Sequence, residues 1–316
     1  MATQDQKDTS HPAPQRNGLR IIFGLILVIP AMLSCGASLL VPTISTISMS
    51  FQRVNLPSRQ AQWVGAENYA RLLQDSAFTG ALGFTLALMV MRLLVVAVLP
   101  LLLAAAVNAF GGVVRIAARL LFTIPLSLFM PVIVALAWML ALAPNFGFLA
   151  GARSPLTNAD QARWILLLID GLTTLGLACG IGLVFYLAAL RGAGEATRKP
   201  LVLTWLIGML ATAALALQSF TLSYMLTSGG PRNATLTLAF ALFNQAFRNF
   251  NFGGGAAIAT LMLLYLAVVG LGVGIIVVFA GLRLEVAAAA ESSGQRGKLR
   301  RLYCWHLRCS SPLESL

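Results

Sequence analysis

Histidine is almost missing from this 316-residue chain, and the two present, His11 and His306, both lie in polar tails. That excludes His-based acid–base or triad chemistry inside the apolar body of the protein. Asp and Glu total 10 against 22 Lys and Arg, and charged residues make up only 10% of the chain, too few for a soluble domain. The cysteines number 4. Cys35 and Cys179 fall in apolar runs, where a small packing residue is the ordinary role. Cys304 and Cys309 flank His306 in a basic tail, but that trio lacks the fourth ligand of a closed metal site. No disulfide, metal or other cofactor is therefore expected. The phosphate loop G-x-x-x-x-G-K-[ST] is absent as well, so the chain does not bind ATP by that route. Gly253-Gly254-Gly255 leads into Ala256 rather than Lys and reads as close packing at the head of a helix.

What the chain has in abundance is apolar surface: 58% hydrophobic residues and a mean hydropathy of +0.83. Six runs are long enough to cross a bilayer, which takes about 20 apolar residues each. They lie at 21–44, 77–110, 117–143, 164–190, 201–227 and 253–282, and they predict an all-α integral membrane bundle of six transmembrane helices. The division expected is a cytoplasmic tail (1–20), a first transmembrane helix (21–44), an external loop (45–76), a five-helix core (77–282) and a basic cytoplasmic tail (283–316). The first run continues past Cys35 to Ile44, too long for the core of a cleaved signal, and is read as a retained span. Lys and Arg distribute 14 to the two tails and the even-numbered loops, with Arg119 at the head of the third run counted in the second loop, and 7 to the odd-numbered loops, with Arg92 inside a span. The positive-inside rule then places both termini in the cytoplasm. The net charge of +12 is topology and contact with anionic lipid rather than nucleic-acid binding.

Two ionisable residues lie well inside spans, Arg92 and Asp170. Burying them is costly, so a functional role competes with snorkelling or a purely structural contact. Counted from the starts of their spans at 1.5 Å per residue, Arg92 lies about 22 Å deep and Asp170 about 9 Å, which argues against a simple pair. The outer half of the fifth span gathers Gln218, Ser219, Thr221, Ser223 and Tyr224. Gln218, Thr221 and Tyr224 recur every three residues, roughly one helix face. With Phe220 beside them, these donors and acceptors suit a neutral polyhydroxylated solute, and equally suit helix–helix hydrogen bonds.

Among the connections, the first external loop holds Glu67-Asn68-Tyr69-Ala70-Arg71-Leu72-Leu73, a short amphipathic helix expected at the membrane surface. The fifth carries the turn Gly229-Gly230-Pro231-Arg232-Asn233-Ala234-Thr235. Together with Trp138, Pro144-Asn145-Phe146-Gly147, Gln218-Ser219-Phe220, Tyr224 and Phe247-Arg248-Asn249-Phe250-Asn251-Phe252-Gly253, these pieces resemble, in order and spacing from about Glu67 to Leu282, one family. It is the permease subunits of binding-protein-dependent carbohydrate ABC importers, of the maltose and glycerol-phosphate type (first permease).

The resemblance implies the type I ABC importer permease fold in a bacterial-type inner membrane. It implies a heterodimer with a second permease, two cytoplasmic ABC ATPase subunits that hydrolyse the ATP, and an external solute-binding protein. It places the solute near Gln218, Phe220, Thr221 and Tyr224. The binding protein would dock at Gly229, Gly230, Pro231, Arg232 and Asn233. The family's E-A-A-x-x-x-G coupling segment is shortened to Arg191–Pro200, where Glu195-Ala196 is its remnant, and Thr221 stands where an acidic residue is frequent. A coupling-impaired copy is therefore a further reading. An ion-coupled secondary transporter is another, with Asp170 as its one candidate carboxylate. A polytopic membrane enzyme has no catalytic cluster to support it.

Overall fold

The structure, a computed structural model, describes residues 18–55, 60–110, 112–127, 130–143, 147, 155–192, 198–279, 282–284 and 307–309. The chain divides into two compact units at Ser48/Met49. In the first, α1 (Gly18–Cys35), a five-residue π turn (Gly36–Leu40) and α2 (Val41–Ser50) follow one another in helical backbone. The first span thus reaches Ser50, six residues beyond the expected Ile44.

The second unit is built on two parallel helices, α4 (Ser76–Ala109) and α7 (Ala159–Gly192), with α3 (Glu67–Gln74) leading into the first of them. The Asp75 carboxylate starts α4 by accepting the Ala77 N–H at 2.9 Å. Each has 34 residues, about 51 Å of helix against roughly 30 Å of hydrocarbon. α4 is apolar on all sides, yet it buries a single stripe that includes Ala81, Phe84, Leu88, Val96, Pro100, Ala104 and Val107. The three- and four-residue spacing puts that stripe on one face, and the other faces are left for lipid or partner subunits. Phe84 and Leu88 pack with Leu166 at one end. Ala104 and Val107 pack with Leu183 and Leu187 at the other.

Two of the expected spans are broken. The run at 117–143 is divided into α5 (Gly112–Ser127) and α6 (Pro131–Ala141). Pro131 sits at the first turn of α6 and holds Met130 in extended backbone, φ −129° and ψ 111°, because a residue preceding proline is disfavoured in the helical region. The fifth run is α8 (Arg198–Leu217) followed, across a 40° bend, by α9 (Thr221–Thr227). Among the described residues four helices are long and apolar enough to cross a membrane, five when α8 and α9 count as one span. The all-helical membrane fold is as expected; where a sixth crossing was expected, α5 and α6 stand instead of one helix.

The connection between α2 and α4 is an ordered platform. β1 (Gln52–Asn55) pairs antiparallel with β2 (Gln60–Trp63), and α3 follows. α3 is docked on protein rather than lying free at a surface. Asn68 is buried and its Nδ2 donates to the carbonyls of Ser50 (2.8 Å) and Gln52 (3.0 Å). Tyr69 shares a 2.7 Å hydrogen bond with Ser50. Leu72 is buried in the main core cluster beside Phe78, Leu236 and Phe240, while Leu73 stays exposed. Glu67 accepts from both Arg53 and Arg71.

After α9 the chain forms α10 (Leu238–Phe243), a π turn (Asn244–Arg248) and α11 (Phe252–Phe279). Thr85 of α4 ties this segment down by accepting the Leu238 N–H at 2.9 Å, both groups being buried. Gly253-Gly254-Gly255 at the head of α11 are all buried. A Cβ on Gly253 would stand 2.2 Å from the Gln52 carbonyl oxygen, so the glycine marks a close approach of α11 to β1. Beyond α11, Leu282–Leu284 pairs antiparallel with Leu307–Cys309.

Candidate functional site: a cavity at the α8–α9 break

The break between α8 and α9 creates the site. At its end α8 tightens, with Gln218 N–H bonded to Leu215 O (3.3 Å) and Ser219 N–H to Ala216 O (3.2 Å). Phe220 then leaves helical backbone at φ −131° and ψ −53°. α9 begins afresh with Tyr224 N–H on Phe220 O at 3.0 Å. Beside this break lies a cavity of about 640 Å³ between α4, α7, α8 and α9, the size of a small-molecule site. Most of its lining is apolar, with Phe84, Leu88, Val96, Leu166 and Leu177, and hydroxyl and amide residues interrupt it, among them Thr174, Gln218, Ser219 and Thr221. Ser219 Oγ is buried and, among the described residues, has no hydrogen-bond partner.

Arg92 and Asp170 meet in the lining of the cavity. Arg92 Nε donates to Asp170 Oδ2 at 2.7 Å and Nη2 to Oδ1 at 2.6 Å, a bidentate fork. Arg92 Nη1 reaches the Leu215 carbonyl at 3.2 Å as a second donor beside the Gln218 N–H. Side-chain exposure is 17% for Arg92 and 4% for Asp170. The depth count, which argued against such a pair, is thereby corrected. α7 starts at Ala159, five residues before the expected Trp164, which lowers Asp170 to about 17 Å from its helix start. The Arg92 side chain also points back toward the N-terminus of its own helix, as helical side chains do. The remaining gap is within the reach of a guanidinium.

Of the expected solute-facing residues, Gln218, Phe220 and Thr221 line the cavity. Tyr224 does not. It stacks on Phe220 at 5.1 Å, at the edge of an aromatic cluster with Phe240 and Phe243, and the Arg248 guanidinium lies over the rings of Tyr224, Phe240 and Phe243. Nor do Gln218, Thr221 and Tyr224 share one helix face, because the helix ends between Gln218 and Thr221. The Gln218 amide instead folds back to Ala214 O at 3.3 Å. Thr173 and Thr174, three and four residues after Asp170, were not anticipated as cavity residues. Their spacing from a buried carboxylate on one helix was the available signal.

The glycine- and proline-rich turn is built by hydroxyls. Thr235 Oγ1 donates to Gly230 O at 2.7 Å and contacts Thr227 Oγ1 at 2.6 Å, while Ser223 Oγ donates to Thr235 O. Gly229, at φ +80°, is buried, and a Cβ there would stand 3.0 Å from the Phe240 ring. The Gly230–Pro231 peptide is cis. Arg232 and Asn233, at φ +53° and +60°, form the exposed tip. The five expected docking residues are thus one turn, with two of them presented outward. Glu195 and Ala196 lie outside the described residues, as do Pro144, Asn145, Phe146, Cys304 and His306. α7 ends at Gly192 and α8 begins at Arg198.

The chain is similar to the arabinooligosaccharides transport system permease protein AraP of Halalkalibacterium halodurans, 28% identical over 171 residues, 52% of this chain and 53% of the relative. The matched region spans about half the length of that relative. In structure it resembles a chain of a bacterial alginate ABC transporter in complex with an alginate pentasaccharide-bound periplasmic protein. The TM-score is 0.66 at 18% identity, covering 82% of this chain and 95% of that one. A bacterial ABC transporter that imports the acidic polysaccharide alginate gives a TM-score of 0.60, also at 18% identity, over 82% and 96%. No family model matches the sequence. At this identity the structural likeness establishes the fold: this is a multi-pass, all-helical membrane protein with the architecture of a chain of an ABC importer.

Proposed function

We propose that the chain is a permease subunit of a binding-protein-dependent carbohydrate ABC importer and forms part of the translocation pathway for a sugar or polyol. The observation that carries this is the cavity at the α8–α9 break. A helix interrupted inside a membrane bundle frees backbone and side-chain polar groups only where they line a cavity. Here that cavity lies in a fold shared with a chain of an alginate transporter. Gln218, Phe220 and Thr221 meet the solute, and Tyr224 supports Phe220 from behind. The exposed tip of the Gly229–Asn233 turn receives an external binding protein. A second permease completes the pathway, and two cytoplasmic ATPase subunits hydrolyse the ATP, so this chain is not itself an enzyme. Both termini are cytoplasmic in an inner membrane of bacterial type, residues 77–282 form the permease core, and Glu195-Ala196 is what remains of the coupling segment. Asp170, the carboxylate an ion-coupled transporter would need, is committed to Arg92, which weighs against that reading.

The test is co-expression with the neighbouring permease and ATPase and purification through this chain. The expected result is a stable complex whose ATP hydrolysis rises several-fold when loaded binding protein is added. Recovery of this chain, folded, with no ATPase attached would contradict the proposal and favour a coupling-impaired copy.

A further inference from the structure

The charge inventory of the cavity is short. Among the described residues its lining holds two side chains charged at neutral pH, Arg92 and Asp170, and they are bound to each other. Three of the five guanidinium N–H donors are engaged, two by the carboxylate and one by Leu215 O. Arg163 sits over the Phe84 ring at 5.9 Å, but it is exposed and is not part of the lining.

We propose that the Arg92–Asp170 pair is the specificity-determining element of the cavity: it cancels the field of the guanidinium and restricts the pathway to uncharged saccharides, rejecting uronates. The inference rests on the carbohydrate-permease reading above. An anionic solute entering the cavity would lose hydration and find no uncompensated cation to replace it. An uncharged saccharide needs only hydroxyl-to-hydroxyl and hydroxyl-to-amide bonds, which Thr174, Gln218 and Thr221 supply, and apolar side chains for its C–H faces. The fold itself sets no such limit, since a solved relative of the same architecture imports an acidic polysaccharide. Selectivity by charge must then reside in individual side chains, and this pair is the one place in the described lining where charge is present at all. Its third contact, to the last turn of α8, also fixes the polar rim against the pair. Neutrality and geometry are set by the same two residues.

The experiment uses the complete importer complex in lipid nanodiscs at physiological ionic strength, where exposed charges such as Arg163 are screened beyond about 8 Å. Malto-, xylo- and arabino-oligosaccharides are compared with hexuronate oligomers of matched length, and binding is read directly on the permease complex. Wild type is expected to bind at least one neutral series about tenfold or more tighter than its uronate counterpart, a difference of 1.4 kcal/mol. D170N, which removes the countercharge but keeps an acceptor for Arg92, is expected to narrow or reverse that ratio. Uronate binding equal to or tighter than neutral binding in wild type would overturn the charge inference while leaving the permease reading intact. An unchanged ratio in folded D170N would overturn the role of the pair. Binding of no saccharide in either series would overturn the carbohydrate reading itself. The wild-type comparison decides whether the cavity discriminates by charge even if D170N does not fold, and D170E, which keeps the countercharge, is then expected to retain the wild-type ratio.

Discussion

Asp170→Ala is expected to destabilise the folded chain by about 3–5 kcal/mol, the usual cost of removing one partner of a buried ion pair. The loss is large because the guanidinium stays behind. Arg92 would retain one contact, the Leu215 carbonyl at 3.2 Å, in surroundings where its side chain is only 17% exposed. Replacing the whole pair is a different matter: R92M/D170L removes both charges beside a cavity that can take the added methyl groups and is expected to recover most of the loss, since apolar substitution of a complete buried pair is often near neutral. Unfolding in mixed micelles, followed by tryptophan fluorescence, separates the two outcomes. A single variant as stable as wild type would show that the pair is not buried in the membrane-embedded protein. A double variant as unstable as the single would show that the pair is needed for more than its own neutrality.

Gly253→Val is expected to cost about 3 kcal/mol, the upper part of the range for overpacking. The obstruction is backbone rather than a flexible side chain: the Gln52 carbonyl oxygen would lie 2.2 Å from the new Cβ, and Asn68 Nδ2 would lie 2.9 Å away. Moving β1 aside to make room would also strain the two hydrogen bonds that Asn68 makes to Ser50 and Gln52. The expected consequence is release of the platform at 52–74 from the head of α11, read as a lower unfolding temperature and faster proteolysis at that platform. Gly270→Ala is the control. Nothing lies within 4 Å of its Cβ position, so it is expected to change stability by less than about 0.5 kcal/mol.

Long apolar runs were legible as helices because hydropathy fixes where a chain must satisfy its own backbone in lipid. α4 and α11 accordingly lie within a few residues of their expected limits. Breaks were less legible. The one before Pro131 carried a signal in the proline, yet a proline in a membrane run does not by itself say kink or break. The one at Gln218–Phe220 has neither Pro nor Gly, and a contact beside it, Arg92 on the Leu215 carbonyl, comes from a residue distant in sequence. The same limit governed the ion pair: two depths measured along separate helices cannot include side-chain direction or an earlier helix start. At the site, Gln218, Phe220 and Thr221 were readable because polar groups in an apolar run stand out. Tyr224 was assigned to the same face by assuming an unbroken helix. The Gly229–Asn233 turn was legible as a turn, but its hydroxyl ties through Thr227 and Thr235 were not, since they depend on the fold of the loop.

ATP is expected to drive passage of a saccharide through the cavity at the α8–α9 break. Its most direct test is uptake of labelled oligosaccharide by proteoliposomes holding the full complex, with ATP enclosed on the ATPase side and loaded binding protein on the other. The account predicts uptake that requires ATP and falls at least about tenfold when Thr221→Trp fills the cavity. Uptake that proceeds without ATP, or that Thr221→Trp leaves unchanged, would contradict it.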